Sequence, residues 1–177
     1  MSNAITRHAG RALLPDAQSW ATTISIAETL VKSGVLPAHI KSPQAAVAII
    51  QQGLELGIAP MTALRGMFVI HGKVGLYSDL MLGLIYRDIG DNAIRVVETT
   101  SAQCTVAYQR PGWDRPATLT FTMDDAERAG LSKDNPAWKK YPAQMLRARA
   151  ISAAARLGFP DLMSGMYTPE ELGATVD

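Results

Sequence analysis

The chain has 177 residues, 47% of them hydrophobic and 19% charged, with a formal net charge of +1; this fits one ordinary globular chain with a core of its own and excludes a strongly basic, strongly acidic or disordered polypeptide. A single cysteine, Cys104, excludes an internal disulfide and fits a reducing cytoplasm, and no apolar run approaches the length of a membrane span. The near-neutral total conceals a polarised chain: from Lys133 to Arg156 six basic residues stand against Asp134 alone, a local +5 that leaves −4 for the rest.

Residues 1–16 mix Ala, Gly and Arg without periodicity and read as a mobile N-terminal arm, leaving 17–177 as a single core domain. Trp20, Ile24, Ala27, Leu30 and Val31 then recur at helical spacing, and Gly34 with Pro37 ends that helix. Ser42-Pro43 caps a second helix, which runs through Ala46, Ile49, Ile50 and Leu54 and stops at Gly57 and Pro60, the proline preventing it from resuming. Gly53 inside this helix costs about 1 kcal/mol relative to Ala, so another element is expected to pack closely there. Met67 to Ile70 and Lys73 to Tyr77 read as a hairpin joined by His71-Gly72. Ser78-Asp79 is expected to cap a third helix, with Leu80, Met81, Leu84 and Ile85 facing the core and Gly90 as its stop. Three strands follow, Ile94 to Glu98, Gln103 to Gln109 and Ala117 to Phe121, most simply an antiparallel meander. Thr122 caps a short helix, Met123 to Ala129, with Asp125 at its third position. The fold class expected is α+β: helices packed on a three-stranded antiparallel sheet with an additional β-hairpin.

The basic segment comes next. Pro142 opens an Ala-rich helix, and Gly158 with Pro160 closes it at about Leu157. At about 100° per residue, Met145, Arg149, Ser152 and Arg156 share one stripe, and Leu146, Ala150, Ala153 and Leu157 share the adjacent one, the expected packing face. Arg147 lies around the helix with Ile151 and Ala154, which suits a role in folding or subunit contacts. The acids that would pair with these arginines at i+4 are absent from the helix, and Lys139-Lys140 stands directly before it. A stripe of arginines suits phosphate, since each guanidinium offers a planar, permanently charged fork of donors. The alternative is a solvated face of a surface helix. After Gly158 come Asp161, Glu170, Glu171 and Asp177 and no Lys or Arg, with Thr168-Pro169 starting one more helical turn.

The run YPAQMLRARAISAAARLGFPDLMSGMYTPEEL resembles the end of the core domain of phage single-strand annealing proteins, the RecT and lambda Red beta superfamily. There a helix of the form P-x-x-M-L-R-x-[KR]-A is followed by A-R-L-x-F and a G-x-Y-x-x-E-E-like stretch. SPQAAVAIIQQGLELGIAPMTAL resembles the segment in which a helix of that family ends in Leu-Gly-[LI]-x-P-x-x-AL. The resemblance implies that Arg149 and Arg156 hold the DNA backbone and that the hairpin sits near the nucleic-acid path, which makes Lys73, and Arg65 on its other flank, further candidates. Ala143 departs from the pattern by standing where lambda Red beta has a lysine. The resemblance also implies side-by-side assembly into rings or helical filaments. In longer relatives a C-terminal module contacts a phage exonuclease or a host single-strand-binding protein, partners this sequence leaves open.

Catalytic signatures are missing. There is no phosphate-binding G-x-x-x-x-G-K-[ST] loop, no G-x-G-x-x-G, no H-E-x-x-H and no Cys/His spacing for a metal. His71 has no second ligand at a suitable spacing, and capping explains Asp124-Asp125. The expectation is therefore no enzyme, no cofactor and no metal. The leading functional expectation is a single-stranded DNA-binding and annealing protein for phage recombination, working without ATP in the bacterial cytoplasm as a homo-oligomer that holds both the single strand and the annealed duplex. Lys139, Lys140, Arg149, Arg156, Arg147, Lys73 and Arg65 form its DNA-binding set, phosphate neutralisation lowers the repulsion between strands, and base pairing supplies sequence matching. An aromatic content of 6% argues against an extended stacking platform. The alternative is a non-annealing module whose basic face docks a nucleic acid or an acidic protein.

Overall fold

Asp16 sets the start of the first helix by accepting a hydrogen bond from the Ser19 N–H at 2.8 Å. The computed structural model describes residues 15–133 and 135–172, so the arm expected over 1–16 falls, apart from Pro15 and Asp16, outside the described residues. The chain divides into two compact units, Met1–Gly75 and Leu76–Asp177.

In the first unit, α1 (Ala17–Ser33) ends at Gly34 and packs on α2 (Pro43–Glu55), whose N-cap Ser42 accepts from the Ala45 N–H. The apolar row of α1 is only partly used. Ala27 is buried and Leu30 and Val31 are half-buried, whereas Trp20 and Ile24 remain exposed. The expected stop at Pro60 is also corrected: Pro60 opens a further helix, α3 (Pro60–Gly66). The lack of an N–H that bars proline from a helix interior costs nothing in the first turn. The return of α3 explains Gly53, where a Cβ would lie 2.5 Å from the Cβ of Ala63. The hairpin β1 (Met67–Ile70) and β2 (Lys73–Leu76) follows. Its turn residues His71 and Gly72 have φ of 50° and 73°, the two left-handed positions that a tight two-residue turn demands.

The second unit opens with α4 (Ser78–Asp88). Ser78 is its first helical residue, and the N-cap, Tyr77, makes no side-chain capping bond, so the expected Ser78-Asp79 cap is replaced by Asp79 in the first turn, where its charge complements the helix dipole. Then β3 (Ile94–Thr99), β4 (Gln103–Tyr108) and β5 (Ala117–Thr122) form an antiparallel sheet in the order β3-β4-β5. Val106 pairs with Val96 on one side and Leu119 on the other, and a bulge at Val97 shifts the β3 register. Thr122 and Asp125 form the expected capping box at the start of α5 (Met123–Arg128). Next come α6 (Pro136–Lys140), α7 (Pro142–Gly158), α8 (Pro160–Met163) and a 3-10 turn, Pro169–Leu172.

α7 packs on both the sheet and α4. Cys104, Val106 and Tyr108 of β4 are buried, as are Leu146, Ala150, Ile151, Ala154 and Ala155 of α7. The packing face therefore departs from expectation. Leu157 is 65% exposed, and the Ile151-Ala154 row is buried instead, because a helix contacted by two elements buries a wider band than one stripe. Gly158 is the last residue of α7 rather than a stop beyond it. A Cβ there would lie 2.6 Å from Cδ2 of Tyr108, so the helix end meets the β4 ring at a distance only glycine permits.

Candidate nucleic-acid interface

The arginine row begins at Tyr141, which ends α6 and starts α7. Pro142 at the first helical position and the alanines beyond it make a favourable helix, and along it Arg149 and Arg156 fall on one line. Both reach the same stretch of chain. Arg149 donates from Nη1 to Oγ1 of the buried Thr168 at 3.3 Å, and its guanidinium lies 5.4 Å from the ring centre of Phe121 in β5. The Arg156 guanidinium lies 5.2 Å from the ring centre of Tyr167, the preceding residue. Between them the buried Ser152 donates back to the Arg149 carbonyl at 3.1 Å. Both arginines are half-buried, and each guanidinium lies over an aromatic ring, a contact that restricts its orientation.

The other sequence candidates are distributed around these two. Lys139 and Lys140, exposed on α6, immediately precede the helix, and the Lys140 Nζ stands 5.2 Å from the ring centre of Tyr141. Arg147 is exposed and points elsewhere, with Nη2 3.8 Å from Oδ1 of Asp79 on α4. A pair that long and that solvated contributes little to stability. Arg65, in the last turn of α3, and Lys73, at the start of β2, are exposed residues of the first unit. Sequence reasoning missed the bed beneath the guanidiniums, Phe121, Tyr167 and Thr168. The pairing of a β5 aromatic with a residue far along the chain left no periodic signal. Among the described residues no group of three or more His, Cys, Asp or Glu side chains is placed to hold a metal ion, and no single helix is long and apolar enough to cross a membrane.

A family model described as the RecT family matches residues 56–177. The chain belongs to the RecT family. That match takes in α7, its arginines and the aromatic bed, together with the sheet against which they are set. Membership makes this a phage recombination and annealing protein in general terms. No curated protein matches the chain.

Proposed function

We propose that this RecT family chain binds single-stranded DNA along α7 and anneals it to a complementary strand without ATP. Residues 17–177 act as one annealing core, assembled as a homo-oligomer in the bacterial cytoplasm. The observation that carries this is the pair Arg149 and Arg156, aligned on one helix and oriented by Phe121, Tyr167 and Thr168. Two planar cations on one line of the helix, two turns apart, suit contacts to the DNA backbone, and Lys139 and Lys140 extend the positive track. Phosphate contacts carry no sequence information, so base pairing is left to decide the match. Arg65 and Lys73 of the first unit are secondary candidates, whereas Arg147, beside Asp79, lies off the track.

The test is affinity for a single-stranded oligonucleotide as a function of salt. Arg149→Ala and Arg156→Ala should each weaken binding equally for all sequences and reduce the slope of log K against log salt by about 0.7, while Arg147→Ala leaves the slope nearly unchanged. Because Arg149 also braces Phe121 and Thr168, Arg149→Lys is the companion variant that keeps the charge. An unchanged slope in both alanine variants removes the proposed track and favours a docking module in its place.

A further inference from the structure

At one end of the three-stranded sheet the second unit has an open polar cleft of about 440 Å³ between two loops, 89–93 before β3 and 109–113 after β4. The backbone N–H of Gln109 donates to the Ala93 carbonyl at 2.8 Å and joins the loops. The Gln109 side-chain amide donates to the Trp113 carbonyl at 2.8 Å, which leaves its own oxygen as an acceptor. Trp113 is 40% exposed, yet it is not loose. Its ring meets Tyr108 edge-on, 6.0 Å between centres at 60°, and Tyr108 is itself seated against Gly158. Outside its own chain neighbours, nothing lies within 4 Å of where a Cβ on Gly112 would stand, so the 109–113 loop is open to solvent at that point.

The charge inside the cleft selects against phosphate. Its cation, Arg110, is engaged by both carboxylate oxygens of Asp161, at 2.5 and 2.9 Å. Asp91, by contrast, is exposed, next to the exposed amide of Asn92. An aromatic face beside a carboxylate and two amides, with the local cation neutralised, fits an uncharged planar heterocycle that bears an amino group. The cleft also lies at the end of α7 that carries Arg156, two residues before Gly158.

Building on the DNA-binding reading of α7, we propose that this cleft receives one unpaired nucleobase of the bound single strand, stacked on Trp113 and contacted at its exocyclic amino group by Asp91 and Asn92. A single stacked base per subunit pins the strand while leaving its neighbours free to pair, which is compatible with the low aromatic content.

The full chain is titrated with an oligo-dC and with an abasic deoxyribose-phosphate oligomer of the same length, and unfolding of each variant is followed by heat. Trp113→Ala should weaken oligo-dC binding about tenfold, the size of one lost base stack, and leave the abasic oligomer and the salt slope unchanged. Trp113→Phe, which keeps a ring on Tyr108, should retain most of the affinity. Asp91→Ala combined with Asn92→Ala should abolish a preference for oligo-dC over oligo-dT. Equal loss on both oligomers in Trp113→Ala, or no loss on either, overturns the base site while the phosphate track on α7 stands. If the unaltered protein binds neither oligomer, the DNA-binding reading fails and the base site fails with it.

Discussion

Arg110 ties the end of β4 to the end of α7. Its guanidinium grips Asp161 with two hydrogen bonds, donates to the Gly158 carbonyl at 3.3 Å and lies 5.7 Å from the ring centre of Phe159. Hydrogen bonds from Arg110 hold the Asp161 carboxyl below the usual carboxylate range. A carboxylate whose folded value is depressed stabilises the fold above its unfolded value of about 3.9, and that contribution is lost as pH falls through the folded value. Asp161→Asn should therefore lower stability by about 1 kcal/mol at neutral pH, and the gap to the parent should close below about pH 4. Chemical denaturation across pH checks this, and a gap constant with pH would assign the loss to packing. The sequence placed Asp161 only within an acidic tail. Its partner is separated from it by β5 and three helices, and a contact over that distance leaves no local pattern. Gly53 is the opposite case, since a glycine inside a helical period signals a close approach by itself, and Ala63 supplies it.

At the scale of elements, periodicity and capping chemistry made most of the fold legible: the hairpin, the meander, the Thr122 capping box and the proline start of α7 all lie where the residue types place them. Three short helices, α3, α6 and α8, were not seen. Each begins at a proline and is too short to show a helical period, so the proline reads as a break when it is a beginning. The buried face of α7 was only half legible, because a single-stripe template cannot anticipate two packing partners. Ala150 belongs to the part that was. It is fully buried on that helix, and Ala150→Phe should destabilise by about 1–3 kcal/mol through overpacking, read as a lowered melting temperature. Arg149 and Arg156 were legible as a row because the helix period is strict, but their aromatic supports, drawn from β5 and the 167–168 stretch, were not.

Considered as a whole, the chain concentrates its positive charge between Lys133 and Arg156 and leaves the remainder acidic. Under the proposed function, DNA phosphate would serve as the counterion that lets neighbouring basic faces approach, and light scattering should show larger assemblies when single-stranded DNA is added. A protein that stays monomeric at high concentration with DNA present would contradict that expectation. The order of elements in the second unit has a further consequence during synthesis. The sheet is built from strands adjacent in sequence, whereas α7, which covers Cys104, Val106 and Tyr108, emerges from the ribosome after all three. Until it does, the nascent sheet has an uncovered apolar face and the chain lacks the arginine row. Completion of the core and acquisition of the proposed DNA contact are thus one event in time, so an unfinished chain has no such row with which to occupy DNA.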